Sequence, residues 1–333
     1  MFFKTIEEYK SYVTFNASFE FDAISPKLKA LDRDILKHYF GADFIDGIQS
    51  DYDGASGVIT GLPLATRNII ERFREITANI SAAIYITEGQ IQIDNAGIFI
   101  VSNENRKTAF QWQIHDLIKS YLKPGYQALE ETIIYLQKNI SDYSTYEGTE
   151  EFEYFKSCFI PTAKDFTKYY SPLNNSFMNL LRLRSCMDKI EEQEIQKVLL
   201  PDYYAELKTK LLDDSLSVAD KAIIPYIRKA VANLTALKAL SELNVTLDKD
   251  GFMVFDNTSG AGTGDTKKTA LGEPLLRAQA SLEKSGLSYL ADLKKFMEDN
   301  KTSYTTYVSD SKYVADQSAT VKNEDGQGYF LGM

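Results

Sequence analysis

The sequence repeats itself. Residues 69–100 align with residues 223–254 without a gap, at a constant offset of 154. Nine of these 32 positions are identical: Ile69/Ile223, Ile70/Ile224, Arg74/Arg228, Ala78/Ala232, Asn79/Asn233, Ala82/Ala236, Glu88/Glu242, Asp94/Asp248 and Gly97/Gly251. Most others exchange like for like, as in Ile80/Leu234 and Ile91/Val245. Further blocks follow in the same order. Gly125 matches Gly286, and residues 139–146 match 300–307, at an offset of 161. Upstream, Leu36 matches Ile195 at 159, and Thr5, Tyr9 and Tyr12 match Thr162, Phe166 and Tyr169 at 157. The offset changes only between blocks, where loops gain or lose residues. Collinear blocks of this kind indicate a tandem duplication, which separates shared architecture from local decoration.

The 333 residues, 44% of them hydrophobic, suffice for two packed modules, at roughly 1–150 and 157–308, with an arm at 309–333. No uninterrupted apolar run is long enough for a bilayer. The opening Met1-Phe2-Phe3-Lys4-Thr5-Ile6-Glu7-Glu8 lacks the basic-then-apolar order of a signal peptide, so the expectation is a chain made and assembled in a cytoplasm. A net charge of −10 argues against a sequence-reading nucleic-acid binder and leaves non-specific passage of DNA open. The two cysteines, Cys158 and Cys186, are read as buried thiols rather than a disulfide framework.

Each module reads as mainly α with one small β-hairpin, an α+β variant of a helical module. Thr5 and Glu8 have capping-box spacing, and Thr162 with Asp165 repeats it more weakly. A helix is expected near 25–40, with the stripe Leu28, Leu31, Ile35 and Tyr39, and its counterpart near 177–199. The central helix carries Ile69, Ile70, Phe73, Thr77, Ile80 and Ile84 on one face. Ala78, Ala82, Ala232 and Ala236 would let a neighbouring helix approach. Pro225 is expected near the start of the second copy of this helix, where a missing N–H is tolerated, and it should kink the helix if the helix starts earlier. The period then changes to two, giving hairpins at 90–101 and 244–255 turned by Asp and Gly. Two further helices are expected to close each module, at 107–122 with 126–138 and at 267–283 with 287–299. Gly125 and Gly286 would act as the stops between them.

Candidates for chemistry are weak. Asp94, Asp248 and Asp250 lack the twelve-residue acidic calcium loop and read as turn residues. The run Ser259-Gly260-Ala261-Gly262-Thr263-Gly264-Asp265-Thr266-Lys267-Lys268-Thr269 does not satisfy the phosphate-loop pattern, because Gly264 precedes Asp265 rather than Lys. His38 and His115, the only histidines, form no metal or catalytic pattern. No catalytic, cofactor-binding or metal residue is therefore assigned, and no cofactor is expected. Trp112 reads as an apolar anchor or as a contact peculiar to the first copy. Asp51 and Asp53 read as part of a loop that the second copy shortens. The end, Gly328-Tyr329-Phe330-Leu331-Gly332-Met333, is a short apolar hook on a polar arm.

The runs Thr5–Val13, Lys29–Gly41, Asp94–Ile98, Lys107–Gln113 and Gly125–Glu130 resemble an uncharacterised family of phages and prophages of Bacteroidetes. A helical module with one hairpin ahead of an arm also resembles the head–tail connector (adaptor or neck) proteins of tailed phages. That resemblance implies a non-enzymatic structural subunit of the virion, in a homo-oligomeric ring below the portal, touching portal, neck or tail proteins and no membrane. Two other readings stay open: an assembly chaperone absent from the mature particle, and an enzyme with an unfamiliar site.

Overall fold

The computed structural model describes residues 1–15, 19–89, 91–94, 97–100, 109–248, 251–255 and 273–314. The described chain is predominantly helical, and its elements occur twice in one order. The first module holds α1 (Ile6–Lys10), α2 (Phe21–Leu31), a wider-wound stretch Asp32–Lys37, α3 (His38–Phe40), α4 (Ala42–Gly54) and the long α5 (Leu64–Glu88). After the strands β1 (Ile91–Asp94) and β2 (Gly97–Ile100) come the long α6 (Gln111–Lys138), a tight turn at Ile140–Asp142 and α7 (Ser144–Glu147). A connecting helix, α8 (Glu150–Ser157), leads into the second module.

That module holds α9 (Ala163–Tyr169), α10 (Phe177–Ile190), a wider-wound stretch Glu191–Ile195, α11 (Gln196–Leu199), α12 (Pro201–Leu212) and the long α13 (Val218–Glu242). The strands β3 (Asn244–Asp248) and β4 (Gly251–Phe255), the long α14 (Glu273–Asp299), a tight turn at Lys301–Ser303 and α15 (Thr305–Ser309) complete it.

Local chemistry explains the shared helix starts. The Thr5 hydroxyl accepts the Glu8 N–H at 3.3 Å while the Glu8 carboxylate takes the Thr5 N–H at 3.4 Å. Thr162 accepts the Asp165 N–H at 3.0 Å. Each closes donors that the first helical turn leaves open. β1 pairs antiparallel with β2, Ile91 opposite Ile100, and β3 with β4, Asn244 opposite Phe255. The turn residues 95–96 and 249–250, on which the Asp–Gly turn reading partly rests, lie outside the described residues.

The wider-wound stretches correct the expected stripe. Winding with i→i+5 hydrogen bonds adds a residue to the turn. The buried series is therefore Leu28, Leu31, Leu36 and Phe40, whereas Ile35 and Tyr39 are only partly covered. The second module repeats the step of five as Ile190, Ile195 and Leu199, all buried. Both stretches fall at the same place in the repeat.

Four further expectations are corrected. Each module closes with one long helix, not two: α6 runs through Pro124 and Gly125, and α14 through Gly286. These glycines are not stops. They are sites of close approach, since a Cβ on Gly125 would lie 2.8 Å from Ile80 Cγ1, and one on Gly286 would strike Leu234 Cδ2. Pro225 lies well inside α13, which starts at Val218 under a Ser217 cap. Asp51 and Asp53 sit in the last turn of α4 rather than in a loop. Ile84 departs from the buried face and is exposed.

Packing follows from the two long helix pairs. α5 lies along α6, and α13 along α14. α2 crosses α5 at Ala78 and Ala82, which are fully buried against Tyr9, Ile24 and Leu28. One apolar cluster includes Phe73 and Leu129 of the first module and Leu183, Ile227 and Leu293 of the second, so the two copies share a core.

Candidate functional site

The duplicated side chains build the same supports twice. Arg74 on α5 donates from Nε to the Phe2 carbonyl at 2.7 Å and from Nη2 to Glu8 Oε1 at 2.7 Å. Arg228 on α13 donates from Nε to the Phe159 carbonyl at 2.6 Å and from Nη1 to Asp165 Oδ1 at 3.1 Å. Tyr143 donates to the Ala65 carbonyl and Tyr304 to the Ala219 carbonyl, both at 2.9 Å. Such contacts tie each amino-terminal segment and each short closing helix to the central helix, and they belong to the scaffold.

Side chains that the copies do not share build the junction between them. Helix α8 lies between α3 and α6 on one side and α12 on the other. Glu130 on α6 accepts the N–H of Ala163, the first residue of α9, at 2.6 Å. Tyr154 donates to both carboxylate oxygens of Asp188, at 3.1 and 2.9 Å. Lys156 pairs with Asp214 at 2.5 Å. Lys208 donates to the Ser157 carbonyl at 2.9 Å and pairs with the buried carboxylate of Glu191. Arg184 spans the linker, donating to Cys158 Sγ at 3.0 Å, to the Ile160 carbonyl at 3.1 Å and to the Pro161 carbonyl at 3.0 Å.

Two clefts flank this joint. One of about 190 Å³ is lined by Glu130, Ile133, Ile134, Phe155, Thr162 and Phe177. The other, about 350 Å³, is lined by Gln137, Glu147, Phe152, Lys156, Leu212 and Asp214.

Burial sets the electrostatics here. It pushes the carboxyl of Glu191 above its ordinary range, with Lys208 and Arg184 offsetting only part of the cost. Burial also raises Asp188 and Glu130. The Cys158 thiol is pushed up too, which keeps it protonated and a poor nucleophile. Among the described residues no group of three or more His, Cys, Asp and Glu side chains could hold a metal ion. The joint can bury surface and fix orientation.

The first module answers the same buried-carboxylate position differently. Asp32 stands where Glu191 stands, and Gln49 where Lys208 stands. The α-ammonium of Met1 lies 3.3 Å from Asp32 and donates to Gln49 Oε1 at 2.5 Å.

The residues singled out in the sequence do not converge. His38 is exposed and His115 half-buried. Both cysteines are buried. Trp112 and Phe110, at the start of α6, are 63% and 69% exposed, so the core-anchor reading of Trp112 is corrected. Asp53 pairs with Lys4 at 2.6 Å. Asp94 ends β1 and Asp248 ends β3, while Asp250, the glycine-rich run 259–269 and residues 315–333 of the arm lie outside the described residues. Sequence reasoning missed the junction. Its one signal is that Arg184 and Lys208 have uncharged counterparts, Ser25 and Gln49, while Glu191 has the shorter Asp32.

The model of a family of unknown function (DUF6712) matches residues 36–156 and again residues 195–317. The chain belongs to this family. No curated protein matches it, nor does any solved structure. The two DUF6712 segments begin at the paired positions Leu36 and Ile195, inside the wider-wound stretches, so the family model matches once within each copy. The first segment closes within α8, and the second at the corresponding point beyond α15.

Proposed function

We propose that this chain is a structural subunit of a phage particle, a head–tail connector or neck protein that assembles into a homo-oligomeric ring below the portal. The observation that carries this reading is exposed apolar surface on the long helix after the first strand pair. Phe110, Trp112 and Leu117 stand in solvent along the first turns of α6. Exposed aromatic residues of this kind mark protein contacts. The resemblance to phage connector proteins supplies the kind of partner, and an acidic chain suits a channel that lets DNA slide past without holding it. No helix among the described residues is long and apolar enough to cross a membrane.

Electron microscopy of the purified protein and of the parent particle tests the reading. Closed rings, or density for the chain between portal and tail, are expected. A chain that stays monomeric and never joins portal, neck or tail would sink it. Mass spectrometry of purified virions separates the assembly-chaperone alternative, because a chaperone would be missing from them.

A further inference from the structure

The joint inside the chain is head-to-tail. Its donor side is the α6 face of Tyr126, Glu130, Ile133 and Ile134. Its acceptor side is the start of α9 with α10, where the Ala163 N–H meets Glu130, Arg182 lies near Tyr126 and Asp188 takes the Tyr154 hydroxyl of α8. A duplicated chain carries both faces twice but joins only one pair. The second module's donor face and the first module's acceptor face are left open.

The counterparts confirm that these two faces are uncovered in a single chain. On α14, Leu287 stands at the Tyr126 position, and Ala291, Lys294 and Lys295 stand at Glu130, Ile133 and Ile134. Leu287 is 57% exposed and the other three are exposed too, whereas Ile133 is buried and Tyr126, Glu130 and Ile134 are half-buried. In the first module Ile6 stands at Ala163, and Asp22, Ala23 and Lys29 stand at Leu181, Arg182 and Asp188. Ile6 is half-buried where Ala163 is fully buried, and Asp22, Ala23 and Lys29 are exposed where their counterparts are half-buried.

Charge distinguishes the open pair from the joined one. Inside the chain an acidic donor, Glu130, faces an acceptor carrying Arg182 and Arg184. The open donor instead presents Lys294 and Lys295, and the open acceptor presents Glu7, Glu20 and Asp22 beside one base, Lys29, all exposed. The two open faces are therefore complementary to each other. The reversal also disfavours either open face against its already joined equivalent.

We propose that a second copy of this chain docks head to tail, its α1–α2 face receiving the α14 face of the first, in the arrangement the chain already uses internally. This rests on the reading of the chain as a self-assembling ring subunit and names the surfaces. A contact of this heterologous kind propagates, closing into a ring where the rotation permits and otherwise extending as a filament. Polar open faces keep the free chain soluble until assembly covers them.

The pair Glu130–Ala163 becomes Ala291–Ile6 between subunits. In the full-length chain, Ala291→Cys combined with Ile6→Cys is expected to give an oligomer ladder on short bismaleimide cross-linking. The wild type, whose two cysteines are buried, is expected to give none. Mixing the two single variants should yield dimer only. Lys294→Glu with Lys295→Glu should lower the sedimenting oligomer fraction at low salt by tenfold or more, and Glu7→Lys with Asp22→Lys should restore it. Circular dichroism melting of each variant reports its folding independently.

An assembled protein without a ladder, or one cross-linked only within its own chain, overturns these surfaces and leaves the ring reading standing. A chain that remains monomeric at all concentrations overturns both.

Discussion

Gly41 and Leu200 occupy the same position in the two modules, and both hold a positive φ, +86° and +65°. Each stands between a one-turn helix and the next long one, with ψ of 140° and 153°. Glycine adopts that conformation freely, and a leucine is strained there by roughly 1–3 kcal/mol. The strain persists because Leu200 packs against the shared core. Leu200→Gly is expected to leave stability within about 1 kcal/mol of the parent, relief of strain offsetting lost burial. Gly41→Ala adds a Cβ 2.8 Å from Thr149 Cγ2 at a positive φ, and should cost about 2 kcal/mol. Urea denaturation measures both. A Leu200→Gly loss as large as an ordinary core truncation would contradict the strain.

The two arginines on the central helices are expected to differ in weight. Arg74 is buried and also receives the Tyr52 hydroxyl as an acceptor at 3.0 Å, a partner that Arg228 lacks because Leu211 stands at that position. Arg228 is the more exposed of the two. Arg74→Met should cost about 3 kcal/mol and Arg228→Met about half of that, from charge-assisted bonds lost and acceptors left unpaired. Hydrogen exchange should show opening first at residues 2–10 in one variant and at 159–169 in the other. Equal losses would show that Tyr52 contributes nothing to the hub.

Much of the fold was legible because the duplication supplied two independent texts for each element. The capping threonines, the central helix with its alanine crossing and the paired glycines all came from repeated residues. Three features escaped for physical reasons. Wider-wound turns shift the apolar step from four to five, so Ile35 and Tyr39 matched a helical period while Leu36 and Phe40 took the core. Glycine has two uses, and only the neighbouring helix decides whether Gly125 ends a helix or admits Ile80. The junction joins residues far apart in sequence, such as Glu130 with Ala163 and Ser157 with Lys208, which no local period encodes.

Glycine at those crossings leads to a reversal of the usual helix preference. Gly→Ala inside a helix ordinarily gains up to about 1 kcal/mol. At Gly125 and Gly286 the added methyl meets Ile80 and Leu234, and overpacking costs about 1–3 kcal/mol. Gly125→Ala and Gly286→Ala should therefore each lower the melting temperature. Ile80→Val should recover part of the first loss, and Leu234→Ala part of the second. A stabilising Gly125→Ala would mean that α5 and α6 can move apart at no cost.

The buried carboxyls at the junction should tilt the pH dependence of stability. Burial holds Glu191, Asp188 and Glu130 above the ordinary carboxylate range. The folded chain binds these protons more tightly than the unfolded chain. Their contribution is thus fully present below the unfolded values, roughly pH 4, and is lost as pH rises through the folded ones. Asp220 is shifted the other way. Burial would raise it, but hydrogen bonds from Ser217, Lys210 and Tyr203 hold it below its ordinary value. Its contribution is present above the unfolded value and lost as pH falls through the folded one.

Thermal melts across pH should therefore peak in mild acid rather than at neutrality. Glu191→Gln should flatten the decline on the alkaline side of that peak, since the amide takes no proton. Asp220→Asn should flatten the acid side instead. A Glu191→Gln profile parallel to the parent's at every pH would show that burial at the joint does not raise this carboxyl.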